Sequence, residues 1–203
     1  MITVSRIKFG PYQWLILEEQ VDRYLLLTES MIEQRDYHTD SHPTTWENCA
    51  LRQYLNQNFY QQFSLSEQAR IIEVSNQNTD NPWYQTTGGN DTSDKIFLLS
   101  LDEVVRYYFG DSGSLLDFPS PKQRYWFQRK DPNNSKRRAQ FLDAPWWWWL
   151  RTPGKNQRTA IYIHGDGNVG IQGNGIGSRQ VNVIHPFSNE TRGGVRPALW
   201  IKK

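Results

Sequence analysis

Trp146, Trp147, Trp148 and Trp149 stand side by side in the stretch DAPWWWWLRTPG. Successive side chains of an extended segment alternate between its two sides, so Trp146 and Trp148 point one way and Trp147 and Trp149 the other. One pair can then enter a core while the other covers a second surface. Trp148 and Trp149 are expected in the core. For Trp146 and Trp147 two roles stay open, burial or an aromatic platform for a sugar, a base or a protein.

The chain around this run has 203 residues, 37% of them hydrophobic, which suits a single domain over residues 1–203. Its one cysteine, Cys49, excludes an intramolecular disulfide, so packing alone must hold the fold, as in a reducing compartment. A balance of 23 Lys+Arg against 21 Asp+Glu leaves a net charge of +2, too little to attract nucleic acid or anionic lipid over distance. The opening MITVSRIKFGPYQ lacks the apolar run of a signal peptide, and no window approaches a membrane span. A cytoplasmic protein without membrane insertion is expected.

Strands are expected at both ends and helices in the middle, an α+β pattern. WLIL and YLLL, separated by EEQVDR, read as a hairpin. Thr44 with Glu47 reads as a capping box opening a helix whose Leu51, Leu55, Phe59 and Phe63 recur every four residues and face inward. Ser64 with Glu67, and Ser100 with Glu103, read as two further capping boxes, the last helix ending at Gly110. Residues 76–94 and 111–138 read as loops. In AIYIHGDGNVGIQG, a three-residue loop at Gly165-Asp166-Gly167 sets Ile163 opposite Val169 and Ile161 opposite Ile171, with Gly167 left-handed. Tyr162, His164, Asn168 and Gln172 then point to the other face. RQVNVIHPF reads as a further strand before the last one, VRPALWI.

Several chemistries lack their signatures. There is no phosphate loop, no dinucleotide fingerprint and no nucleophile elbow. Cys49, beside the apolar stripe, reads as a buried and inert thiol. His38 and His42 are four apart but in a loop, so they read as solvated rather than metal-binding. Asp80, Asn90, Asp91 and Asp94 could offer oxygen to Ca²⁺; turn-building is the favoured reading. The basic run RKDPNNSKRR beside RYWF reads as a solvated loop, not as a single-strand binder.

TTWENCALRQYLNQNFY, GGNDTSDKIFLLS, WWLRTPG and GVRPALW together resemble an uncharacterised bacterial domain family with TWE-x-C-x-LR-x-WLN, GGNDT, WWLR-[ST]-PG and GVRPAL signatures. One departure is Tyr54, where that family usually has Trp. The ending Gly194-Val195-Arg196 in turn resembles the C-type-lectin-like fold of formylglycine-generating-enzyme relatives and of retroelement-diversified variable proteins. That resemblance implies paired terminal strands, helices packed on one side and an irregular display surface in a loop-rich C-terminal β half. It also implies that Arg151 and Arg196 tie loops through backbone carbonyls.

The function expected from these readings is non-catalytic recognition. The display face comprises Tyr162, His164, Asn168, Gln172, Asn174, Arg179, Gln180, Asn182, His185 and Asn189, bordered by Trp146 and Trp147, and it needs no cofactor or metal. A protein ligand is preferred to a glycan, because the lectin-like fold alone does not carry sugar binding. The alternatives are an enzyme of the formylglycine-generating superfamily and a structural module of a phage or surface assembly. The oxidase reaction itself uses two cysteines, against one here. Other chemistry would have to draw on His164, Asp166, His185 and Glu190, whose spacing demands no convergence.

Overall fold

The computed structural model describes residues 5–119, 131–177 and 192–203. In chain order the strands are β1 (Arg6–Phe9), β2 (Tyr12–Glu19), β3 (Arg23–Thr28), β4 (Glu33–Arg35), β5 (Ile71–Ile72), β6 (Val74–Asn76) and β7 (Thr92–Asp94). After them come β8 (Ala139–Phe141), β9 (Ala144–Trp146), β10 (Trp148–Pro153), β11 (Thr159–Ile163), β12 (Val169–Gly175), β13 (Gly193–Val195) and β14 (Ala198–Lys202). Helices are few and short, so the architecture is α+β and rich in sheet. No helix among the described residues is long and apolar enough to cross a membrane.

Among the described residues two five-stranded sheets dominate. The first runs β1-β2-β3-β14-β5 and the second β12-β11-β10-β13-β4. Both ends of the chain thus share a sheet, as expected, but β14 pairs directly with β3, and Val195 belongs to β13 in the other sheet. The buried apolar side chains form a cluster that reaches from Phe9 to Ile201 and takes in both sheets. Arg196 and Pro197 form the step between the sheets. Arg196 donates from Nε to the Thr28 carbonyl at 2.9 Å and from Nη2 to the Glu29 carbonyl at 3.4 Å.

The helical middle differs from the expected helical pair in its opening. Thr45 is extended with no side-chain cap, Trp46–Asn48 is a single 3₁₀ turn, and α1 (Ala50–Tyr54) starts with Cys49 as its cap. The capping box Thr44–Glu47 does not form. Glu47 instead accepts from Asn90 Nδ2 at 3.1 Å, while Trp46 turns inward to donate to Asp94 Oδ2 at 3.0 Å. The helix then widens to a π-helix at Leu55–Phe59, keeping Leu51, Leu55, Phe59 and Phe63 buried. Ser64 and Glu67 do form the reciprocal box that opens α2 (Leu65–Gln68). Ser100 and Glu103 exchange equivalent bonds at 2.7 and 3.2 Å. Gly110 is left-handed, with φ +89°.

The two expected loops are more structured than their composition suggests. β6 and β7 pair at the base of the segment 76–94. Within it Asp80 accepts from Gly88 N and Asp91 from Asn78 N, the turn-building role. From the basic run, α3 (Asn134–Arg137) carries Arg137 into the interior, where it pairs with buried Asp131 at 2.8 Å. For that residue the solvated reading is overturned: the guanidinium faces inward and finds its counter-charge.

Of the four tryptophans, Trp148 and Trp149 are fully buried and Trp146 and Trp147 half-buried. The alternation holds. Trp147 and Trp149 meet edge to face at 4.7 Å on one side, and Trp148 lies 6.4 Å from Phe109 on the other.

Candidate functional site

The β10–β11 connection, Gly154 to Arg158, is built as a rigid loop. Gly154 N donates to Thr159 O at 2.7 Å, and Lys155 N to Gln172 O at 2.8 Å. Asn156 closes an Asx turn by accepting Arg158 N on Oδ1 at 2.9 Å. From one flank Thr44 N donates to Gln157 O at 2.9 Å, and from the other Ile176 N donates to Arg158 O at 3.2 Å. Beneath, fully buried Asn81 donates from Nδ2 to Pro153 O at 2.9 Å and to Ile171 O at 3.0 Å, tying β10 to β12. Gly173, left-handed at φ +82°, lets the two backbones approach, since a Cβ there would lie 2.9 Å from Gly154 Cα.

This loop separates two clefts. One, of about 610 Å³, is lined by Ser41, Lys155, Asn156, Arg158, Gln172 and Asn174 over a glycine-rich floor. The other, of about 620 Å³, has Pro43, Thr86 and Thr87 on its far wall and shares Lys155, Asn156 and Arg158. The side chains of Lys155, Arg158 and Gln172 have no hydrogen-bond or ion-pair partner among the described residues, although the backbone beneath them is fully tied. Such a surface fixes the backbone in advance and leaves only the side chains to be ordered on binding.

The residues expected to form one display face are divided by the structure. Gln172 and Asn174 line the first cleft, at the open end of the β11–β12 hairpin. His164 and Asn168 sit at its turn, roughly 13 Å from Gln172 and roughly 20 Å from Asn174 at the rise of a strand. There His164 Nδ1 lies 3.0 Å from Asp166 Oδ1, and Asn168 N donates to Asp166 Oδ1 at 2.9 Å. Burial opposes the Asp166 charge, but the Asn168 N–H and His164 outweigh it and hold the carboxyl below its ordinary range. Trp146 donates from Nε1 to Arg192 O at 3.4 Å.

Tyr162 is a correction. It is only 2% exposed, its ring 5.3 Å from that of Trp147 and packed over Gly170, so it cannot be offered to a partner. Alternation along β11 does turn it away from Ile161 and Ile163, but that face is covered too. Arg179, Gln180, Asn182, His185 and Asn189, with Glu190 and the strand expected at RQVNVIHPF, lie outside the described residues. Sequence reasoning passed over Lys155 and Arg158. PGKNQRT reads as an ordinary turn, and two cations flanking an Asx-turn residue are the signal it contained.

The signature motifs meet elsewhere, and most of their polar atoms are spent on the frame, beside a third cleft of about 710 Å³ that Asp91, Ser100 and Arg151 help to line. Buried Asp94 receives Trp46 Nε1 at 3.0 Å, Arg52 Nε at 2.6 Å, Asn76 Nδ2 at 3.0 Å and Thr92 Oγ1 at 2.7 Å. Arg151 donates to the Leu98 and Gln77 carbonyls and grips Glu103 through both oxygens at 2.6 and 3.0 Å. Arg151 and Arg196 therefore both tie loops through carbonyls. The motifs TWENC, GGNDTSD and WWLR specify this scaffold, not the two clefts beside the loop Gly154 to Arg158. No curated protein and no solved structure matches the chain significantly. The family model described as "Domain of unknown function (DUF6273)" matches residues 21–203, and the chain belongs to that family.

Proposed function

We propose that this chain is a non-catalytic recognition domain, C-type-lectin-like in fold, that holds a protein partner on the polar surface of its C-terminal half. Shared placement of the two chain ends in one sheet, with helices between and the second sheet assembled largely from the C-terminal half, supports the fold. The observation that carries the function is the loop Gly154 to Arg158: its backbone is pinned on three sides while Lys155, Arg158 and Gln172 project without partners among the described residues. Rigid backbone under adaptable polar side chains is the arrangement of a binding surface.

The test is capture of a partner from the native host, followed by Lys155→Ala, Arg158→Ala, Gln172→Ala and Asn174→Ala. Capture is expected to fall with substitutions in this group and to be unaffected by His164→Ala at the far turn. A partner retained by all four variants would place the site elsewhere. Small-molecule turnover abolished by His164→Ala would move the protein to the enzymes, with the His164–Asp166 pair as its starting point.

A further inference from the structure

We infer that the segment held at this loop is an acidic peptide, its carboxylates seated on Lys155 and Arg158; the inference rests on the recognition reading above. The two cations stand three residues apart on a loop fixed by the Asx turn, and both adjoin both clefts. No carboxylate lines either cleft among the described residues. Asp40, next to Ser41, is already engaged by His42, through the backbone N–H at 2.8 Å and the ring at 2.9 Å. Two positive charges with no counter-charge among the described residues attract an anion, and the guanidinium fork of Arg158 matches a carboxylate in two-point fashion.

The rest of the lining suits a polypeptide as the carrier of that charge. Ser41, Thr86, Thr87, Asn156 and Gln172 offer hydroxyls and amides, which pair with peptide N–H and C=O groups. Among the described residues neither cleft has an aromatic ring on which a base could stack, and the net charge of +2 supplies no field for a polyphosphate chain. An acidic polypeptide fits both facts. Nucleic acid fits neither.

The probe is a fluorescein-labelled peptide with alternating Glu and Gly, measured by anisotropy against its Gln-for-Glu counterpart, inorganic phosphate as competitor and a single-stranded oligonucleotide. Binding of the Glu peptide is expected to weaken at least about tenfold between 50 and 300 mM salt. It should also weaken at least about tenfold in the double variant Lys155→Glu/Arg158→Glu, whose thermal transition should match the parent protein, and to survive Lys155→Arg. Equal binding of the Glu and Gln peptides, or Glu-peptide binding that persists in the double variant, would overturn the inference, as would preference for the oligonucleotide. If the captured partner is lost with Gln172→Ala or Asn174→Ala yet kept by the double charge reversal, recognition at the cleft stands and the acidic ligand falls. If neither set affects capture, the recognition reading itself falls.

Discussion

Arg151 and Arg196 carry charge into the interior by different means. Arg151 has a carboxylate, Glu103. Arg196 has two backbone carbonyls and the ring of Trp148, 5.0 Å from its guanidinium; burial pulls its pKa down to about 9, so it stays charged at neutral pH. Trp148 therefore fills core volume and cushions a charge as well. Truncating Trp148 or Trp149 to alanine is expected to cost about 3–5 kcal/mol in urea unfolding. Half-buried Trp146 should cost clearly less, and Trp147, held by two ring contacts, should fall between; equal losses at all four would make the whole run core. Cys49 is testable by pH. Burial pushes its thiol up to about 12 from an ordinary 9.0, so the native protein should react slowly with a thiol reagent at pH 8. The unfolded chain loses this proton first as pH rises. The contribution to stability is thus full below about pH 9 and declines toward pH 12, and the urea midpoint should be lower at pH 10 than at pH 8. Rapid stoichiometric labelling of the folded protein would contradict the buried placement.

At the level of elements, the β11–β12 turn shows how local pattern and distant packing combine. Ile163 pairs with Val169 and Gly167 is left-handed at φ +90°, both readable from AIYIHGDGNVGIQG. The register then shifts between Tyr162 and Ala160, so the expected pairing of Ile161 with Ile171 is not continued. A Cβ at Gly167 would also run into the Asn134 carbonyl, so Gly167→Ala should destabilise by roughly 1–3 kcal/mol. Gly175→Ala, where nothing lies within 4 Å, is the control and should fall within about 0.5 kcal/mol of the parent; equal effects would refute the steric account. What was legible had its partner nearby: the first hairpin, the apolar stripe, the boxes at Ser64 and Ser100. The Thr44–Glu47 pattern has the same form, but Glu47 is drawn to Asn90, 43 positions away, and spacing carries no information about such a competitor. Tyr162 misled for a related reason, since alternation reports which face a residue takes and not whether Trp147 covers that face. Lys155 and Arg158 stand out only because, among the described residues, no distant carboxylate lines their clefts. No local window records that.

For the molecule as a whole, the decisive placement is β14 between β3 and β5, with Leu199 and Ile201 fully buried. Removing residues 198–203 would strip hydrogen-bond partners from two strands and open the first sheet through its interior. The truncated chain is expected to lack a cooperative thermal transition by circular dichroism; a transition near that of the parent would show the sheet to be self-sufficient. The same placement bears on synthesis. The contact of Arg196 with Thr28 joins residues 168 positions apart, and translation needs roughly 10–30 s to cover that distance. Throughout that interval the nascent polypeptide carries the apolar strand β3 with one edge unmatched, an open template for other chains emerging nearby. Folding is therefore expected to be completed after the last strand clears the ribosome, and dependence on holding chaperones to be greatest before then.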